Sequence, residues 1–255
     1  MMTKMDMENY VKHFYSFDET IVYDFKLGDG GIGDYLKFFT IILTHCMNNN
    51  KRIHCKFNDL EIQKHIKFKY EFFNITTDEI HKLKNVVVER PQKHYKNDHY
   101  NYNVNLNEVF VFDDSVKFNV NYIISNLPKT YISIHLRLGD KFLEVDKKFV
   151  YSKNDTREYS EKELYSFIEN NMNTNILFFC DNNAYKWKIK EKYDKILITD
   201  CEIGHTSFSN TSKKQILDTI TEFYILSNSQ SIYAASQSGF SVMASKFNDV
   251  EYSIL

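Results

Sequence analysis

Arginine is rare in this chain, four residues among 255, and one of them stands in His135-Leu136-Arg137-Leu138-Gly139-Asp140-Lys141. A guanidinium offers a planar fork of donors that matches a phosphate, and a nearby imidazole or carboxylate can hold a ribose or orient the fork. His135, Arg137 and Asp140 are therefore candidates for binding a phosphorylated ligand. The alternative is a purely structural Arg137–Asp140 bridge, a costly way to hold a turn if it is buried. Glycine is also scarce, seven in all, yet Gly28, Gly30, Gly31 and Gly33 crowd together just ahead of Asp34. Backbone without a Cβ can approach an anion closely, and a helix N-terminus behind it adds unpaired N–H groups. The pattern is neither G-x-G-x-x-G nor a Walker loop. A phosphate or sugar hydroxyl docked at Gly31 and Gly33 thus stands beside an ordinary tight turn with Asp34 as a first-turn residue.

Two further clusters have the same character. Ser236-Gln237-Ser238-Gly239-Phe240-Ser241 combines hydroxyls with the start of a helix, which suits an anion or simple capping equally. In Cys180-Asp181-Asn182-Asn183 the carboxylate of Asp181 could accept from the N1–H and 2-amino group of a guanine, or could cap a helix. Glu144 and Asp146, just beyond the arginine motif, are candidate general bases. The remaining histidines, including His45, His54 and His65, lack ligand spacing and read as core or surface residues, so no metal site is expected. Cys46, Cys55, Cys180 and Cys201 show neither disulfide-scaffold density nor C-x-x-C spacing and are expected as reduced thiols.

The elements that must position these groups follow from periodicity. Residues 20–26 (TIVYDFK) are β-branched and aromatic, the glycines follow, and apolar side chains recur at helical spacing over 34–47. Strands are predicted at 52–56 and 85–89, the latter ended by Pro91, with helices at 59–66 and 77–83 and a loop over 93–107. A helix over 116–127 stops at Pro128, and 131–136 (YISIHL) is a buried strand leading into the arginine motif. Ser160 with Glu163, and Ser212 with Gln215, are capping boxes that open helices reaching about 171 and 227. Strands at 175–180, 195–199 and 231–234 and helices at 183–193 and 239–247 complete an alternating pattern. Such alternation predicts an α/β protein with parallel sheets, whose ligands sit beyond the carboxyl ends of the strands. A boundary near Leu127 divides it into two Rossmann-like halves, 1–127 and 128–255, although one larger doubly wound sheet fits the same pattern.

Composition excludes several classes. With 43% apolar and 26% charged residues the chain is globular, and a net charge of −2 gives no global reason to bind nucleic acid or anionic lipid. No apolar run is long enough for a membrane span or a signal peptide, so a cytoplasmic location is expected.

The motifs taken together resemble the GDP-fucose-dependent fucosyltransferases, the superfamily of the α1,2-, core α1,6- and protein O-fucosyltransferases. Gly30-Gly31-Ile32-Gly33-Asp34 resembles the family's G-G-h-G-N, 134–140 resembles its h-H-h-R-R-G-D, and Ser238-Gly239-Phe240-Ser241 resembles its S-x-F-S. The segment with Asp181 and Trp187 is similar to the S-D-D-x-x-W of the α1,2 branch. The resemblance implies a GT-B fold of two Rossmann-like domains facing a cleft, an acceptor-side domain 1–127 and a donor-binding domain 128–255. It implies an inverting transfer of fucose from GDP-fucose to a glycan hydroxyl with no cofactor or metal. Arg137 would then hold the β-phosphate, His135 would approach the nucleotide, Asp181 the guanine, and Ser238 to Ser241 the diphosphate. Two departures matter: Leu138 replaces the second arginine and Asp34 the usual asparagine. The latter makes the glycine motif similar also to the bacterial heptosyltransferases, in which this Asp is thought to be the base. Asp34 is therefore the first candidate base and Glu144 the second, because a Glu closely following the arginine motif resembles the core α1,6 branch. A heptosyltransferase-like enzyme using another nucleotide sugar and an inactive nucleotide- or glycan-binding module are the rival readings.

Overall fold

The computed structural model describes residues 6–57, 60–91, 104–150 and 152–255, and its architecture is α/β with parallel sheets. The chain opens with α1 (Met7–His13), an element absent from the sequence expectation, whose first turn is capped by the Asp6 carboxylate and which buries Met7 and Tyr10. The strand β1 (Thr20–Asp24) is buried along its whole length because parallel neighbours flank it on both sides, β2 (Arg52–Lys56) and β4 (Val86–Glu89). Between β1 and β2 runs α2 (Ile32–Asn48), which starts two residues earlier than expected and so takes Gly33 into its first turn.

The two middle helices are shorter than periodicity suggested. In α3 (Ile62–His65) the helix gives way to β3 (Ile66–Phe68), where burial alternates and pairing with β5 (Phe110–Phe112) is antiparallel. The stronger period-2 signal of 66–68 ends the helix there. In α4 (Thr77–Ile80) a complete Thr76–Glu79 capping box starts a turn, but the turn buries no residue, so nothing sustains further growth. Of the loop expected over 93–107, residues 93–103 lie outside the described residues, and α5 (Leu106–Val109) occupies its end. The helix α6 (Asp114–Ile124) follows, capped by Asp113.

Beyond Pro128 a second sheet forms with order β7-β6-β8-β9, all parallel. Its strands are β6 (Ile132–Leu136), β7 (Ile176–Cys180), β8 (Ser231–Ala234) and β9 (Glu251–Ile254), the last being a short edge strand that the sequence reading missed. The expected strand over 195–199 is reduced to one bridge between Leu197 and Leu177, beyond which Thr199 turns its hydroxyl to Glu222. The helices α7 (Glu161–Asn170), α8 (Asn183–Lys192), α9 (Lys213–Leu226) and α10 (Gly239–Phe247) match the expected spans, with Ser212 and Gln215 forming a full capping box on α9.

Alternation along β7 explains the layering. Ile176, Phe178 and Cys180 face one core with Leu164, Ile168 and Ile189 of α7 and α8. Leu177 and Phe179 face the opposite core, with Ile220, Phe223 and Met243 of α9 and α10. That second core is continuous with the side chains of α2 and β1: α10 packs against α2 and against β8 and β9, and α9 against α10 and α6. Both sheets also have a topological switch point: β1 sits between β2 and β4, and β6 between β7 and β8. A crevice forms at the carboxyl ends of such strands, where connections leave in opposite directions.

Candidate functional site

The two switch points face one cleft of about 330 Å³, lined by Gly31, Gly33, Asp34 and Lys37 from the first half and by His135, Arg137, Arg157, Asp181, Glu222 and Ser238 among others from the second. The helices α2 and α10 meet at it by their N-termini. Their approach is very close: a Cβ on Gly33 would fall 2.5 Å from the backbone carbon of Gly239. Two helix dipoles thus end side by side, a strong preference for an anion.

Arg137 follows β6 and is fixed from three sides. Ser236, at the end of β8, accepts from the Arg137 N–H and donates to its carbonyl, both at 2.8 Å. The guanidinium donates to Asp140 Oδ1 at 2.5 Å and lies 3.7 Å from Asp181 Oδ2. The turn between them needs a glycine: Gly139 has φ +104, and a Cβ there would sit 2.6 Å from the Asp155 carbonyl oxygen. The carboxylate oxygens of Asp181 accept from Leu138 N at 2.7 Å and Gly139 N at 3.1 Å, while Asn182 caps α8. Asp181 therefore shapes the arginine turn from the floor of the cleft. Burial raises the carboxyls of Asp140 and Asp181 above the ordinary range, and Arg137 opposes that shift in both.

His135 is 4% exposed and stacks on Phe240, ring centroids 5.3 Å apart. Burial pushes its imidazole down to about 3, with Arg137 adding to the shift, so it is neutral at ordinary pH. Its Nδ1 has no hydrogen-bond partner among the described residues. Asp34 accepts from the Gly31 N–H; burial raises its carboxyl, with Lys37 and Arg137 acting against burial. Ser238 lines the cleft and caps α10 through Phe240 N at 3.3 Å. Ser241 is fully buried and donates to the Ser238 carbonyl at 3.2 Å. Glu144 lies outside the cleft lining and caps α8, accepting from Asn183 N at 3.1 Å and Ala184 N at 2.8 Å. Trp187 sits on α8 and is 51% exposed.

Four ionisable side chains of the cleft escaped the sequence reading. Lys37 lies one turn beyond Asp34, and Arg157 follows an irregular loop. Glu222 is 2% exposed on α9 and pairs at 3.0 Å with Lys186, itself 1% exposed, a pair that helical periodicity would count as solvated. His205 stacks on Phe208 and accepts from Ser207 N at Nδ1, and burial pushes it down to about 3. One signal was available for it: outside the glycine cluster only Gly139, Gly204 and Gly239 remain, and Gly204 immediately precedes His205. Ser207 bonds across the halves, its hydroxyl accepting from Gly28 N at 3.0 Å and Gly30 N at 3.2 Å. Among the described residues no group of three or more His, Cys, Asp or Glu could hold a metal ion, and no helix is long and apolar enough to cross a membrane.

No protein-family model matches the chain, and no curated protein matches its sequence. Solved structures do match in three dimensions. NodZ α-1,6-fucosyltransferase of Bradyrhizobium, soaked with GDP-fucose, superposes with a TM-score of 0.55 at 7% identity, over 90% of this chain and 92% of that one. The chain shares the fold of a fucosyltransferase. A mutant of FUT1 from Arabidopsis thaliana in complex with GDP gives 0.55 at 10% identity over 98% of this chain and 74% of that one. POFUT1 in complex with GDP gives 0.50 at 12% identity over 93% and 98%. The GT-B-like α/β architecture expected from the motifs is therefore the one observed.

Proposed function

We propose that the chain is an inverting, metal-independent glycosyltransferase that moves fucose from GDP-fucose to a hydroxyl of a glycan. The observation that carries this reading is the Arg137 guanidinium, held between two carboxylates beside the paired N-termini of α2 and α10. A diphosphate is the ligand whose charge and geometry suit that place. The shared fold with fucosyltransferases solved with GDP or GDP-fucose supports the choice of nucleotide sugar.

In this reading 128–255 binds the donor and 1–127 faces the acceptor. Arg137 and the helix N-termini bind the diphosphate and take up the negative charge that develops on GDP as the bond from the sugar C1 to phosphate oxygen breaks. The acceptor oxygen attacks C1 from the opposite face and Asp34 receives its proton, which inverts the centre. Asp34 suits that task because it lines the cleft and burial raises its carboxyl above the ordinary range, whereas Glu144 is engaged at α8. Neutral His135 offers a ring nitrogen to the nucleotide. Both Asp181 oxygens already accept backbone N–H groups, whereas Lys186 and Thr199 bond to one oxygen of Glu222, so its other oxygen is the better placed to accept from guanine.

Thermal denaturation with GDP-fucose, GDP-mannose, ADP-sugars and UDP-sugars, each with and without EDTA, tests the donor assignment. Selective stabilisation by GDP-fucose that EDTA leaves unchanged is expected. Stabilisation by ADP-sugars alone would replace this reading with the heptosyltransferase-like one, which the Asp34 in the cleft also suits. Binding of GDP with no donor turnover under any acceptor would leave a binding module.

A further inference from the structure

The geometry points to Arg157 as a second diphosphate-binding residue of the donor site, lining the same cleft as Arg137; this rests on the nucleotide-diphosphate reading above. The need for a second cation is visible in the local charges. Arg137 lies 2.5 Å from one carboxylate and 3.7 Å from another, so much of its charge is already offset before any anion arrives. His135 and His205 are neutral, Lys186 is taken by Glu222, and Lys37 of the lining acts on the Asp34 carboxyl one turn away on α2. Leu138, adjacent to Arg137, is 6% exposed and packs in the core behind β6, so the strand end itself supplies nothing more.

Arg157 is brought to this place by backbone that is tied to the arginine turn. Its N–H donates to the Leu138 carbonyl at 2.9 Å, and the Asp155 carbonyl accepts from Lys141 N at 3.1 Å. The Asp155 side chain accepts from Asp140 N at 3.2 Å through one oxygen and lies 3.3 Å from the Arg157 guanidinium through the other. The close approach of Gly139 to Asp155 lets the two segments lie together. Arg157 thereby lines the cleft with its side chain 42% exposed, accessible to a ligand and oriented by Asp155. Its charge reaches both Asp34 and Asp140, acting against the burial that raises their carboxyls. A guanidinium so placed keeps free donors for phosphate oxygens after pairing with a single carboxylate.

Calorimetric titration of the full chain with GDP and with guanosine, at low and high salt, tests the assignment. Arg157→Gln should weaken GDP binding about tenfold and flatten its salt dependence, while guanosine affinity stays unchanged. Arg157→Lys, which keeps the charge and loses the fork, should fall between the two. If Arg157→Gln binds GDP within about twofold of wild type, or loses GDP and guanosine affinity equally, Arg157 has no diphosphate role. A wild-type chain that binds no GDP would instead overturn the donor reading on which this inference stands.

Discussion

Arg137 serves two purposes that a single substitution would confuse. It faces the anion site, and it is also the cation that compensates the buried Asp140 and Asp181. Truncation leaves two carboxyls without it, at a cost of roughly 3 kcal/mol in stability, so Arg137→Ala should lose both folding stability and transfer. Arg137→Lys separates the two: urea denaturation should show a stability within about 1 kcal/mol of wild type, while transfer falls by about a hundredfold. A lysine variant transferring at more than about a tenth of the wild-type rate would contradict the bidentate phosphate contact. Asp34→Asn should leave GDP affinity intact and abolish transfer, and the rate of the wild type should rise with pH through a midpoint above the ordinary aspartate range, because burial raises that carboxyl. The motif residues were legible because rare residue types mark them; Arg137 and the glycines stand out from a chain rich in Lys, Asn and Tyr. Glu222 and Lys186 were not, since a charge on a helix reads as solvated until its burial is known.

At the scale of elements, the junction of α2 and α10 decides whether the anion site exists. Both partners are glycines but their tolerances differ: a Cβ on Gly33 would meet Gly239 backbone at 2.5 Å, whereas a Cβ on Gly239 would find Gly33 at 3.8 Å, an ordinary contact. Gly33→Ala should therefore destabilise the chain by about 2 kcal/mol or more and abolish nucleotide binding, while Gly239→Ala should stay near wild type in its melting temperature. A Gly33→Ala variant as stable as wild type would show that the helix ends are not in contact. Helices with strong caps and strands buried on both faces were readable from pattern alone. The misreadings fell where local signals competed, as in α3 yielding to β3, or where an edge strand such as β9 is short and half-exposed. The run 195–199 has strand composition, yet Thr199 bonds to Glu222 and the ladder stops at one bridge.

Over the whole molecule four histidines lowered by burial shape the response to acid, His54, His65 and, most strongly, His135 and His205. His135 and His205 hold folded values of about 3 against an ordinary 6.5, so the unfolded chain binds more protons between those limits. Stability should be complete above about pH 6.5 and fall as pH drops towards 3, opposed in part by the raised carboxyls of Asp34, Asp140 and Asp181, which favour the folded state as they protonate. Replacing His205 by Gln should reduce the pH slope of denaturation by nearly one proton over that window; an unchanged slope would mean that the ring is accessible to water. Ser207 carries a different consequence. Its hydroxyl is what the N–H groups of Gly28 and Gly30 find, across some 180 positions of chain, and α10, which abuts the same turn, comes later still. During synthesis the glycine turn emerges long before either partner, so the anion site is assembled late in folding. A chain arrested on the ribosome before residue 247 has emerged should sequester no nucleotide, and a binding signal should appear only when the chain is arrested behind a linker long enough to bring residue 247 out of the exit tunnel.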